Sequence, residues 1–260
     1  MSRPRILPTE ISKRSTDVGK LKILIHGEAG AGKTTFASKF PGALFLATEA
    51  GTGHIDSFDM RCASWSELSN ACAALQAQEH DFKTVVIDTM DNAWKLCRDH
   101  VNAKNGVSHE QDLSFGKGSA MILREFERVF DKLATLGLGL VLITHTATEE
   151  RTDKKGRSQT RLITAVPKKA REYLSGFVDV ILFASTEVTE EGSRRVLLAG
   201  QDQDYEAKDR TGKLPSMLSL DFEAFSKCFE EVAVQPEFQA VSDSKPKSRK
   251  PWTLGETLNH

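Results

Sequence analysis

The sequence lacks a charge excess, paired cysteines and long apolar runs, and each lack narrows what the chain can be. Its 35 lysines and arginines stand against 36 aspartates and glutamates, a formal net charge of −1. Global charge therefore does not advertise a polyanionic partner, although a local surplus can. The four cysteines, Cys62, Cys72, Cys97 and Cys228, form no C-x-x-C pair and lie near no histidine at zinc-ligand spacing. They read as reduced thiols of a cytoplasmic protein, not as a disulfide framework or a zinc site. No apolar run approaches the roughly 18 residues of a membrane span. The opening stretch MSRPRILPTEISKRS has no apolar core of the kind a secretory leader needs. No internal repeat is present. What remains is an ordinary globular composition, 39% hydrophobic and 27% charged over 260 residues, enough for one large α/β domain or two small ones.

Apolar runs and helical periods alternate along the first 146 residues. LKILIHG (21–27), ALFLATE (43–49), TVVIDT (84–89) and LGLVLITHT (138–146) read as buried strands. Between them, 33–40, 64–78, the segment DNAWKLCRDHVNA and the segment AMILREFERVFDKLATLG read as helices. The last of these places Ile122, Phe126, Val129, Phe130 and Leu133 on one face. The strands are apolar throughout, not alternating, which is the pattern of a parallel sheet covered on both faces. FVDVILFAS (177–185) and RRVLLAG (194–200) lie close together and predict an antiparallel extension. Residues 104–119 and 146–168 read as loops. The expected organisation is a polar N-terminal arm over 1–20, an α/β core over 21–232 and a disordered polar tail over 233–260.

HGEAGAGKTT contains Gly27-x4-Gly32-Lys33-Thr34 after a strand and before a helix, which is the P-loop pattern in its required context. Backbone N–H groups of Gly27, Glu28, Ala29, Gly30, Ala31, Gly32, Lys33, Thr34 and Thr35 are expected to surround the phosphates of ATP, with the helix N-terminus adding partial positive charge. Lys33 is expected to reach the β- and γ-phosphates and Thr34 to ligate Mg²⁺. Asp88, at the end of TVVID, is the natural second partner of the metal; the plainer role is a helix N-cap. Glu49, at the end of ALFLATE, can orient and deprotonate the attacking water, or be an exposed turn acid.

The N-K-x-D motif of GTPases is absent. RTDKKGRSQTR (151–161) could serve as the basic lid of a small-molecule kinase, so that reading stays open, as does a nucleotide-switched interaction protein. More of the chain is accommodated by another likeness. A P-loop, a strand ending in glutamate (LFLATEAG), TVVIDTMD, a Gly-rich loop, an amphipathic helix and the polar-ended strand LVLITH follow one another. A basic loop and late strands ending in YEAKDRTGKLP complete the order. Residues 21–225 in this order resemble the core ATPase domain of RecA-type recombinases, and especially small phage-encoded, core-only RecA-like proteins that anneal single strands under ATP control.

The resemblance implies a RecA-like α/β fold with helices on both faces of a mainly parallel sheet and a late antiparallel extension. It implies that Glu49 is the catalytic glutamate and that His145 is the γ-phosphate sensor, where RecA has a glutamine; the plainer role for His145 is a strand-end residue facing solvent. It implies that Lys208 and Arg210 meet the ATP of a neighbouring subunit; the plainer role is a surface turn. The loops that line DNA in RecA filaments fall here at about 104–119 and 146–168. This makes Lys104, Lys117, Arg151, Lys154, Lys155, Arg157, Arg161 and Lys168 DNA-binding candidates.

Local charge agrees. Residues 146–171 carry eight cations against three acids, a surplus of five in a chain whose total is −1. Such a stretch suits sequence-independent single-strand binding, and equally a solvated loop. It has no aromatic over 146–168 to stack on bases; the other loop offers Phe115 and His109. The expectation is thus an ATP- and Mg²⁺-dependent, single-stranded-DNA-binding homo-oligomer, filament or ring, acting in annealing or strand pairing. Lys245, Lys247, Arg249 and Lys250 in the tail are candidates for touching DNA or a single-strand-binding protein.

Overall fold

A computed structural model describes residues 17–49, 53–113, 116–152, 156, 158–190 and 192–230. The N-terminal arm before residue 17, Phe115, Lys154, Lys155, Arg157 and the tail from 231 lie outside the described residues. Element order is β1 (Lys22–Gly27), α1 (Lys33–Ala37), β2 (Ala43–Ala47), β3 (Phe58–Arg61), α2 (Trp65–Ala77), β4 (Thr84–Asp88), α3 (Met90–Lys104) and α4 (Lys117–Ala134). It continues with β5 (Gly139–Thr144), β6 (Thr146–Thr152), β7 (Ser158–Thr164), α5 (Lys168–Phe177), β8 (Val180–Thr189), β9 (Gly192–Leu198), β10 (Lys208–Asp209), β11 (Met217–Ser219) and α6 (Phe222–Lys227).

The main sheet runs β11-β9-β8-β1-β5-β4-β2-β3, with β10 alongside β8. From β8 to β3 every pairing is parallel. β9, β10 and β11 are antiparallel, the expected late extension. Alternate strand residues feed two cores, as a period of two requires. Leu24, Leu46, Val85, Ile87, Leu140, Leu142 and Ile181 pack against α2, α3, α4 and α5. Ile23, Ile25, Phe45, Val86, Val141, Ile143 and Leu182 pack against α1 and α6. The α4 face predicted from its spacing is buried at all five positions, with Phe126 stacked on Trp65 and edge-on to Trp94. Among the described residues no helix is long and apolar enough to cross a membrane.

Three expectations need correction. The segment 146–168 is not a loop: β6 and β7 form a seven-rung antiparallel hairpin, with Gly156 at φ 78° between them. Its β-branched residues Thr146, Thr148, Thr152, Thr160, Ile163 and Thr164 suit a pleated surface, and the charges interleaved with them hid that pattern. The segment 104–119 contains a 3-10 turn at Glu110–Asp112, and its ends belong to helices: Lys104 closes α3 and Lys117 opens α4. The strand β3 was missed because all four of its residues are exposed, so it carries no apolar signal.

A buried side chain of β1 helps to fasten the hairpin to the main sheet. His26, fully buried one residue before the first P-loop glycine, uses both ring nitrogens. Nε2 lies 2.7 Å from the carbonyl oxygen of Glu206, which can only accept, so Nε2 carries the proton. Nδ1 then accepts from the hydroxyl of Thr146, 3.0 Å away, at the start of β6. The Glu206 carboxylate accepts from the N–H and hydroxyl of Thr164, the opposite rung of the same hairpin. A stack of His26, Phe183 and Tyr205 closes the assembly.

Burial pushes the His26 imidazole down to about 4, so the folded chain holds it neutral while the unfolded chain protonates it near the ordinary 6.5. The unfolded state therefore binds more protons between these values, and the His26 contribution is present above about 6.5 and lost as pH falls toward about 4. The stability advantage of wild type over His26→Gln is expected to shrink across that window, by on the order of 3 kcal/mol. Urea unfolding of both proteins at a series of pH values checks this; a constant difference would contradict it.

Candidate active site

The parallel registers bring the sequence-predicted residues to one edge of the sheet. His26 pairs with Thr144, Asp88 with Ile143 and Ala47 with Asp88, so β1, β2, β4 and β5 end together. The crevice beyond the carboxyl ends of such strands is the usual ligand position of an open α/β sheet. Gly27 leaves β1 so close to β8 that a Cβ there would meet the Ala184 carbonyl oxygen at 2.5 Å. Gly30 and Gly32 have φ of 78° and 100°, a backbone conformation that favours glycine. Lys33 is buried, and its Nζ donates to the carbonyls of Gly27 and Glu28, both at 2.8 Å. Burial lowers the Lys33 pKa, while Asp88, Asp91, Glu49 and Glu28 oppose that shift.

Thr34 Oγ1 donates to Asp88 Oδ2 at 2.8 Å, so Asp88 faces the P-loop and not the start of α3. Burial pushes the Asp88 carboxyl above its ordinary range against the pull of the Thr34 hydrogen bond, with Glu49 adding to the rise. A divalent cation beside this hydroxyl and carboxylate would supply the missing counter-charge. Among the described residues no group of three or more His, Cys, Asp or Glu could hold a metal unaided. Magnesium keeps several waters and draws on one or two carboxylates and substrate phosphates, so a hydroxyl and one carboxylate fit it. Thr34 and Asp88 are the residues that would hold it, and it would neutralise charge developing on transferring phosphoryl oxygens.

Glu49 lies two residues beyond β2 and His145 one residue beyond β5. They face each other, with His145 Nε2 4.0 Å from Glu49 Oε1, and both are roughly two-fifths exposed. Thr89 Oγ1 donates weakly to Glu49 at 3.4 Å. The turn beneath them is fixed by Thr48, whose hydroxyl donates to the Thr89 carbonyl and accepts from the Thr89 N–H. The Asp88–Thr89 peptide is cis.

Asp91, in the first turn of α3, was not expected here. Its Oδ2 lies 3.1 Å from His145 Nδ1, and its Oδ1 accepts from the Thr144 hydroxyl and the His145 N–H. Burial works to raise the Asp91 carboxyl, but the hydrogen bonds from His145 outweigh it and hold it below its ordinary range. The sequence signal was present, since the two acids of IDTMD lie three residues apart; only the fold shows that Asp88 faces the P-loop and Asp91 the end of β5. Arg195 on β9 also lies against the P-loop, its Nη1 3.2 Å from where a Cβ on Gly32 would sit. No sequence motif marks it.

The remaining candidates lie elsewhere. Lys208 pairs with Ile181 near the start of β8, whereas the P-loop leaves β1 level with Ala184. Lys208 Nζ donates to the carbonyls of Ser175 and Val178, and Arg210 Nη1 to that of Gly176 at 2.8 Å. Both cations thus satisfy the carbonyl end of α5, where positive charge is favourable. Arg151 pairs with Glu149, which also holds Arg171. Arg161 donates to the carbonyls of Tyr205 and Asp202. Lys168 opens α5 and is exposed. Arg151 and Arg161 belong to the hairpin, Lys104 and Lys117 to the α3–α4 corner.

The profile of a family described as an AAA domain matches residues 19–211. No curated protein sequence matches the chain. Among solved structures, a KaiC-like protein from the hyperthermophilic archaeon Pyrococcus horikoshii OT3 is 13% identical. The match covers 69% of this chain and 79% of that one with a TM-score of 0.39.

Lys33→Ala is expected to lower ATP hydrolysis by about a hundredfold or more, because it removes the cation expected to neutralise transferring phosphates. Glu49→Gln should bind a fluorescent ATP analogue normally yet turn over far more slowly, since an amide cannot accept the proton of the attacking water. Equal turnover in Glu49→Gln and wild type would remove Glu49 from that role.

Proposed function

Because the chain belongs to the AAA domain family of P-loop ATPases, we propose that it is a RecA-like ATPase whose nucleotide state governs binding of single-stranded DNA, in the service of annealing or strand pairing during recombination. What supports the reading above all is the root of the β6–β7 hairpin. It starts at the residue after His145 and is held by His26, the residue before Gly27. A change at the γ-phosphate position therefore has a short covalent and hydrogen-bonded route into this element. The basic residues Lys154, Lys155 and Arg157 of this stretch lie outside the described residues.

DNA binding by this route is phosphate neutralisation and loses affinity steeply with salt. Single-stranded DNA is expected to raise the ATPase rate. Replacing Lys154, Lys155 and Arg157 together by Ala should weaken binding to all sequences alike and flatten the salt slope by about three contacts. An ATPase indifferent to DNA, with an unchanged slope, would favour a nucleotide-switched protein-interaction role. One observation speaks for that second reading: Arg151 and Arg161 are already engaged within the protomer.

Assembly is the other part of the proposal. Lys208 and Arg210 stand at the strand-start edge of the sheet, away from their own P-loop, so any contact with ATP would come from a neighbouring protomer. A cation supplied in trans stabilises transition-state charge and makes hydrolysis depend on assembly. The double variant Lys208→Ala/Arg210→Ala should bind ATP but hydrolyse it poorly, and mixing it with Lys33→Ala should restore part of the activity. No rescue, together with a specific activity independent of protein concentration, would leave the two cations as caps of α5 alone.

A further inference from the structure

Beside Glu49 stands a histidine with chemically distinct ring nitrogens, and the structure shows which one is committed. Asp91 Oδ2 lies 3.1 Å from His145 Nδ1. A carboxylate offers only acceptors, so Nδ1 carries a proton in this contact. The same carboxylate takes the His145 backbone N–H at 3.3 Å and the Thr144 hydroxyl at 3.2 Å through its other oxygen. It is mostly buried, its side chain 12% exposed. Ring and backbone of His145 are thus gripped by one group on α3, which leaves Nε2 as the nitrogen facing Glu49.

We infer that Asp91 is the positioning residue of His145: its carboxylate holds the Nδ1–H form and the ring orientation that present Nε2 to the reacting groups. The inference rests on the reading of this crevice as an ATP-hydrolysing site. It adds a division of labour among the two acids of IDTMD. Asp88 turns to Thr34 and the metal position, and Asp91, three residues on in the first turn of α3, turns to the end of β5 and sets the imidazole. With Nδ1–H occupied, Nε2 of the neutral ring accepts a hydrogen bond, as from a water beside Glu49. Nε2 of the charged ring donates one, as to a phosphate oxygen. Without Asp91 nothing in these contacts distinguishes the two nitrogens, and the ring could present an Nε2–H in its neutral form or turn away.

Asp91→Asn separates positioning from a merely structural role. An asparagine has one acceptor oxygen. If that oxygen serves Thr144 and the His145 N–H, its NH₂ group faces Nδ1 and demands an acceptor there, which moves the proton to Nε2. The expected result is a fall in kcat of about tenfold to a hundredfold, by analogy with the loss of an orienting partner from a metal-ligating histidine, with KM for ATP little changed. In a His145→Gln background the same Asp91→Asn change should cost less than about twofold, since changes that act through one contact are coupled, whereas uncoupled changes would add and cost the same in both backgrounds. Side-chain ¹⁵N correlation spectra, with the His145 signals assigned by their absence in His145→Gln, should show Nδ1–H in wild type and Nε2–H in Asp91→Asn. Asp91→Glu, which keeps a carboxylate, should retain the Nδ1–H signature and more of kcat, and stands in for Asn if that variant folds poorly. Equal loss of kcat in both backgrounds, or a spectrum in which His145 of wild type already carries Nε2–H, would overturn the assignment. A wild-type chain that hydrolyses no ATP would defeat the enzymatic reading instead, while the spectra still decide what Asp91 does to the ring.

Discussion

The parallel register of β1, β2, β4 and β5 is the constraint from which the site follows. Backbone ladders between these strands place His26 beside Thr144, Ala47 beside Asp88 and Asp88 beside Ile143. A slip of one residue in a parallel pair would turn every side chain to the other face of the sheet. The two apolar cores forbid that slip, since Ile87 and Leu142 pack with the helices on one side while Val86 and Val141 pack with those on the other. Packing energy spread over both layers thus fixes, to within one side chain, where the strand ends stop. Functional groups at those ends need no further device to converge.

On that edge the chain gathers Asp88, Asp91, Glu49, Lys33 and His145, with Glu28 of the P-loop nearby, and the contacts keep Asp88, Asp91 and Glu49 from acting as one undifferentiated cluster. Thr34 engages Asp88, His145 engages Asp91, and Glu49 remains the most exposed of these three acids. The buried Lys33 is turned into the P-loop by two carbonyls while four acids supply favourable charge around it. Low local dielectric makes each of these pairings stronger and each unpaired group more costly. The same edge anchors the hairpin, through hydrogen bonds of His26 and Glu206 to Thr146 and Thr164, so the site and the hairpin root lie side by side.

Much of this was legible in the sequence, for physical reasons that differ by element. Buried parallel strands are apolar at every position, so β1, β4 and β5 stand out as runs. The α4 helix stands out by its period, and all five residues of its predicted face are buried. The P-loop is legible because phosphate-binding backbone geometry demands glycine at particular positions. Strands without an apolar run leave no such trace: every residue of β3 is exposed, and charges interleaved along β6 and β7 break their pattern. Arg195 escaped for a related reason: it reaches Gly32 only because β9 folds back on β8, a pairing between segments that no local pattern announces.

Local chemistry in the sequence determined the strand–loop–helix of the P-loop, the fold class and the choice of Lys33, Thr34 and Asp88 as candidate site residues, because short-range backbone geometry and burial periodicity are written residue by residue. Tertiary structure alone decided which partner each remaining polar group takes. Asp91 meets His145 and not the P-loop, His26 meets Thr146 and Glu206, and Lys208 and Arg210 meet the carbonyl end of α5. Hydrogen bonds and ion pairs act over about 3 Å, so their pattern depends on distances between elements far apart in the chain, and those distances exist only once the two cores have packed.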